Sequence, residues 1–274
     1  MPVRKIAVIG DSHVNFFGGH EYLTFTPYLR KTRTGGGGIN TYPSLVKNFS
    51  IYHLGPALAY NLNKYGTSTQ AREKAEFLLK HRVIARGQPV MCVFGEIDCR
   101  VHVLRQAEKY GGDFRPVIDG ITSNYLEFLQ YVSRENPVYV WGPVASQNDS
   151  VEIDTTYPRY GAEVERNKAT EYFNDRMKEI CREHGFKFFS IFSSLIDSNY
   201  RTKYEYIADT CHLSQRAWEF VTEEFRKQGI DIAFMPEDKR PSPNKSGRGL
   251  WRRIRGRLSS YKPVLRYYFR KLLC

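Results

Sequence analysis

Ser12, Asp209 and His212 are the residues whose types and order could carry out nucleophilic chemistry. A neutral serine hydroxyl is a weak nucleophile until a base takes its proton, and an imidazole oriented by a carboxylate can be that base. The i, i+3 spacing of Asp209 and His212 is common by chance, so the pair gains meaning only together with the serine. Taken alone, Ser12 would also suit a helix N-cap, and Asp209 could cap the helix predicted to start near Ser214.

The elements that must position these groups follow from hydrophobic patterning. Ile6-Ala7-Val8-Ile9 is an apolar strand running into Gly10-Asp11, which presents Ser12 at the carboxyl edge of a sheet, where open α/β folds place their ligands. Four further apolar runs, 49–54, 90–94, 138–141 and 186–192, read as buried strands. Helical periodicity falls between and after them, at 58–65, 69–82, 118–134, 163–184 and 214–227. Strand and helix in alternation predict an α/β fold, a three-layer α/β/α sandwich around a parallel five-stranded sheet. The long connections 14–48, 99–117 and 144–162 are expected to rise above the edge that carries Ser12, as a substrate rim. Gly35 to Gly38 read as a hinge or turn, because Ile39-Asn40-Thr41 follows them in place of the Gly-Lys-Ser/Thr ending of a phosphate loop.

Four blocks in order, Gly10-Asp11-Ser12-His13, Leu54-Gly55-Pro56-Ala57, Gly95-Glu96-Ile97-Asp98 and Asp209-Thr210-Cys211-His212-Leu213-Ser214, resemble the SGNH, or GDSL-like, hydrolase family. The resemblance spans roughly residues 5–230 and implies the family's flavodoxin-like fold and an esterase, lipase or carbohydrate deacetylase activity, with acyltransferase relatives. It implies Ser12 as nucleophile, Asp209 and His212 as the rest of a triad, and the Gly55 backbone N–H as an oxyanion donor. One position departs from the pattern. Where the family carries asparagine, whose amide also donates to the oxyanion, this chain has Ile97. Loss of one such donor costs on the order of 10²–10³ in rate. Arg100 is the expected substitute, with Asn61 also within reach, and Glu96 and His102 complete a stretch too polar for a buried strand end unless it lines a site. His13 is expected to touch substrate rather than act as base. Aromatic residues at 16–22 and 157–160 could stack on a sugar ring. Simpler roles stand beside these: Gly55 as a turn glycine, Asp11 and Asp98 as braces of the first block, Glu96 and Arg100 as an ion pair, His102 facing solvent, and Cys211 as a small filler.

The implied reaction is acyl transfer from a small ester or an acylated glycan, with no metal or cofactor. Two other classes remain. Strand-Gly-Asp-x-His also begins a metallophosphoesterase site, with Asp11 and His13 as ligands, but the Gly-Asn-His and Gly-His-x-His blocks that such a site needs are absent among the 7 histidines. The Ile97 replacement also fits a non-catalytic binding protein that keeps the fold.

The formal charge of +12 is concentrated at the carboxyl end. Residues 239–274 hold 12 Lys and Arg and no acid, leaving 29 basic against 29 acidic residues in 1–238. The chain is therefore read as a hydrolase-like domain at 1–238 and a basic amphipathic tail at 239–274. In 250–273 cationic residues interleave with Trp251, Tyr261, Tyr267, Tyr268 and Phe269, which suits contact with an anionic membrane surface. Nucleic acid is the competing partner, less favoured because so many of the interleaved residues are large and apolar. Five cysteines without CxxC spacing, and no secretory signal pattern ahead of the first strand, predict a cytoplasmic protein with peripheral contact at the inner membrane face.

Overall fold

The computed structural model describes residues 5–20, 30–34, 37–41, 43–150 and 157–236. The basic segment 239–274 lies outside the described residues. Five parallel strands form the centre: β1 (Ile6–Gly10), β4 (Phe49–His53), β5 (Val90–Val93), β6 (Val138–Trp141) and β7 (Lys187–Phe189). All were expected from their apolar runs, although β7 ends three residues sooner than its run does, and Phe192–Leu195 turns into the short helix α5.

The sheet is larger than expected. Strands β2 (Arg30–Thr34) and β3 (Gly37–Thr41) pair antiparallel and extend it to the order β2-β3-β4-β1-β5-β6-β7. Segment 14–48 is thus no single loop, and Gly37 and Gly38, read as part of a hinge, lie within a strand. Three of the five β2 residues are charged and the other two are threonine, a composition that hides an edge strand from hydrophobic patterning. The register sets Gly10 of β1 beside His53 of β4 and Val93 of β5, so three strand ends meet at the edge where Ser12 begins.

Side chains alternate across the sheet, and each face has its own core. Ala7 and Ile9 join Cys92 and Val140 under α1 (Ala71–Lys80), α3 (Arg115–Ser133) and α4 (Glu163–Glu183). Ile6 and Val8 face the other way, with Met91, Val93 and Trp141, under α5 and α6 (Trp218–Lys227). The first and last connections on one face and the middle ones on the other give the doubly wound arrangement. Phe16 and Phe17 belong to this second core rather than to a sugar platform: Phe17 meets Trp141 edge-on at 5.0 Å, and Phe16 stacks on Trp218 at 4.7 Å. Among the described residues, no helix is long and apolar enough to cross a membrane.

Two expected elements differ. The helix read at 58–65 is a single 3-10 turn, Ala59–Asn61. Its first N–H groups, those of Ala59 and Tyr60, donate to Asp98 at 2.8 and 3.2 Å, which ties the turn to the third block. Segment 99–117 is not a loop throughout: a π turn, Asp98–His102, leads into α2 (Val103–Ala107). Single π turns of this kind often stand at functional sites.

Candidate active site

Ser12 owes its place to the turn that ends β1. A Cβ at Gly10 would collide with the Val93 carbonyl oxygen, so only glycine lets β1 pass this close to β5. Asp11 then caps the 3-10 turn Ser12–Gly18, its Oδ1 accepting the His13 N–H at 2.9 Å, and Ser12 becomes the turn's first residue.

His212 is held from the opposite end of the chain. The Ala208 N–H donates to the His212 carbonyl at 2.8 Å, and Ile207 bridges Leu213, so 208–212 closes into a tight turn. Inside it Asp209 Oδ1 accepts the N–H groups of Cys211 and His212, each at 2.8 Å. Its Oδ2 lies 2.7 Å from His212 Nδ1, and His212 Nε2 lies 2.7 Å from Ser12 Oγ. The carboxylate fixes the imidazole proton on Nδ1 and leaves the Nε2 lone pair for the serine hydroxyl. Burial disfavours the charged Asp209, but hydrogen bonds from the His212 ring and backbone outweigh it and hold the carboxyl below its ordinary range. Burial also depresses His212, against the pull of Asp209 and with the help of a charged His13 whose ring lies 4.8 Å away. A neutral, oriented imidazole on a serine is a base ready for proton abstraction.

Arg100, expected as an oxyanion donor, is committed elsewhere. Its Nε donates to Glu96 Oε1 at 2.7 Å and its Nη1 to the Pro158 carbonyl. Glu96 Oε2 lies 3.1 Å from His13 Nε2, which makes His13–Glu96–Arg100 a buried array of two cations about one carboxylate. Burial works against charge on Glu96, yet Arg100 and His13 hold its carboxyl well below the ordinary range. Burial likewise opposes charge on His13, and Glu96 overrides it, keeping the imidazole protonated well above its usual pKa. The ion pair read between Glu96 and Arg100 is therefore present, and His13 completes it.

Asp98 braces the second block's turn rather than the first block, and burial pushes its carboxyl up to about 7. Asn61 and His102 do not join the triad. They line a cleft of about 570 Å³ with Tyr60, Asp98, Gln106 and Tyr110, and no triad residue is in its walls. Tyr157 does reach the site, its ring edge-on to His212 at 5.3 Å.

The second block stands beside Ser12: the Leu54 N–H donates to the Gly10 carbonyl at 2.8 Å, and Gly55 follows with φ +108°, a conformation that favours glycine. Among the described residues, neither the Gly55 nor the Ser12 N–H has a protein acceptor. Two neighbours went unnoticed in the sequence. His53, at the end of β4, is pushed down to about 4 by burial and by Lys74, His212 and His13. Lys74 is buried on α1 and donates to the Leu54 carbonyl at 2.6 Å. The signal for Lys74 was its place on the apolar stripe of α1, three residues after Ala71 and four before Leu78.

No protein-family model matches the sequence, and no curated protein matches it either. Solved structures do. A candidate acylhydrolase from Bacteroides fragilis, 12% identical, aligns over 82% of this chain and 86% of its own with a TM-score of 0.50. A GDSL-like lipase from Bacteroides thetaiotaomicron, 10% identical, aligns over 82% and 87% with a TM-score of 0.50. At such identity the likeness speaks for architecture, and it agrees with the doubly wound sheet described above. The chain has the fold of the SGNH, or GDSL-like, hydrolases.

Proposed function

We propose that this protein is a serine-dependent carboxylic ester hydrolase. The observation that carries the proposal is the continuous relay of two 2.7 Å contacts, Asp209 to His212 to Ser12. Ser12 Oγ attacks the ester carbonyl carbon while His212 Nε2 takes the hydroxyl proton. The carbonyl oxygen becomes an oxyanion held by the Ser12 and Gly55 N–H groups. As the tetrahedral centre collapses, the ester C–O bond breaks and His212 returns its proton to the leaving alcohol. Water, deprotonated by the same imidazole, then releases the acid and restores Ser12. An acceptor alcohol in place of water would make the same residues an acyltransferase.

An O-acylated carbohydrate is the substrate class we favour, because Tyr157 sets an aromatic ring beside His212 on which a sugar ring could stack. A metallophosphoesterase centre fits the residues poorly. The His13 ring is engaged by Glu96, and both His212 ring nitrogens by Asp209 and Ser12. The composition of 250–273 supports a second, independent role for the tail in holding the enzyme at an anionic membrane surface.

Turnover of p-nitrophenyl acetate and of acetylated xylo-oligosaccharides tests the proposal. Wild type is expected to hydrolyse both esters and Ser12→Ala neither. Equal rates in the two proteins would remove the serine mechanism, and turnover of the nitrophenyl ester alone would remove the carbohydrate assignment.

A further inference from the structure

The oxyanion side of the site lacks the side-chain amide that Ile97 replaces, and Arg100 is bound to Glu96 and the Pro158 carbonyl. A different cation stands behind the remaining donor. Lys74 Nζ donates to the Leu54 carbonyl at 2.6 Å, and that carbonyl belongs to the same peptide unit as the Gly55 N–H. The amino group is also close to Gly55 itself, 3.8 Å from where a Cβ on that residue would stand. Lys74 is only 7% exposed, so little water screens its effect.

A peptide is a single conjugated dipole. A cation on its oxygen withdraws electron density through the amide and makes its N–H a stronger donor, and hydrogen bonds polarise one another more inside a protein than in water. The same contact fixes the peptide plane at Gly55, which stands at φ +108° and has no side chain to restrain it. We propose that Lys74 is a positioning residue that orients and polarises the Leu54–Gly55 peptide, so that the Gly55 N–H offsets the missing amide in holding the oxyanion. The proposal rests on the ester-hydrolase function above, and it assigns Lys74 no contact with substrate.

A donor strengthened in this way acts on the charged tetrahedral state and little on the bound ester. The variants Lys74→Met, Lys74→Gln and Lys74→Arg separate the possibilities: methionine removes donor and charge, glutamine keeps a donor without charge, and arginine keeps both. With p-nitrophenyl acetate, Lys74→Met is expected to lose about tenfold to 100-fold in kcat, part of the loss seen on deleting a whole oxyanion donor, with KM nearly unchanged. Affinity for phenylboronic acid, which forms an anionic tetrahedral adduct on serine, should fall by a similar factor. Lys74→Arg should restore most of both, and Lys74→Gln should lie between. Unchanged kcat and boronate affinity in Lys74→Met, or a loss confined to KM, would overturn the proposal.

A readout independent of activity keeps the two proposals apart. The amide proton resonance of Gly55, assigned by 15N NMR, should move upfield from wild type to Lys74→Gln. Wild-type inactivity with that shift present would count against the ester hydrolase and leave the polarised peptide standing. An unmoved Gly55 resonance would count against the polarised peptide, whatever the activity. If Lys74→Met does not fold, Lys74→Gln and Lys74→Arg carry the same comparison.

Discussion

Ser12 Oγ and His212 Nε2 are 200 residues apart along the chain and 2.7 Å apart in space. The sheet makes this possible: the first strand ends and the final turn closes at one edge. Because His212 acts as base only when neutral, kcat/KM must fall as pH drops through its pKa, which burial holds below the ordinary 6.5. The charge on His13 lowers that pKa further, so removing it should raise the pKa. The acid limb of the pH–rate profile is therefore expected below pH 6.5 in wild type and at higher pH in His13→Gln. An acid limb that does not move in the variant would contradict the electrostatic link between the two imidazoles.

The His13–Glu96–Arg100 array is a stability device as much as a site feature. Replacing Glu96 by glutamine leaves the buried Arg100 without its carboxylate and removes the group that keeps His13 protonated, at a cost of about 3–5 kcal/mol. Glu96, depressed in the folded state, contributes stability that is present above its ordinary 4.5 and lost as pH falls through its folded pKa. His13, raised in the folded state, contributes stability that is present below 6.5 and lost as pH rises through its folded pKa. Urea unfolding of wild type and Glu96→Gln should thus differ most between pH 4.5 and 6.5. A pH-independent difference would show that the array is not ionised as described.

Ile97 offers a test in the direction of gain. An amide at this position would add the donor that the resemblance assigns to it, and Ile97→Asn is expected to raise kcat on p-nitrophenyl acetate by about tenfold or more at similar KM. No gain, in a variant that melts like wild type, would mean that position 97 does not face the oxyanion.

Deleting residues 239–274, with their 12 basic side chains, should abolish sedimentation with phosphatidylserine vesicles and leave p-nitrophenyl acetate turnover intact. Binding to a nucleic-acid probe but not to vesicles would reverse the choice of partner.

What is legible in the sequence follows a physical divide. Buried parallel strands are apolar runs, so β1, β4, β5, β6 and β7 stood out, and Ser12, Asp209 and His212 lie in short turns where local sequence sets local geometry. The β2–β3 hairpin was hidden because an edge strand such as Arg30–Thr34 needs no hydrophobic face. Arg100 is held in the ion pair with Glu96 that the sequence offers as its simpler role, and its second partner, the Pro158 carbonyl of a distant loop, is the part that the sequence does not reveal. Lys74 and His53 escaped for a similar reason. Lys74 is one of several charged residues on α1 and His53 closes a strand, and only the fold, which brings Lys74 to the Leu54 carbonyl just past the end of β4, gives them neighbours to act on.

Covalent labelling of Ser12 tests the central claim most directly. Intact-mass and peptide mass spectrometry after treatment with a fluorophosphonate should show one adduct on Ser12 in wild type, and none in Ser12→Ala. Labelling should be much slower in His212→Ala, whose serine has lost its base. A wild-type protein that stays unlabelled, or an adduct that persists in Ser12→Ala, would contradict the account.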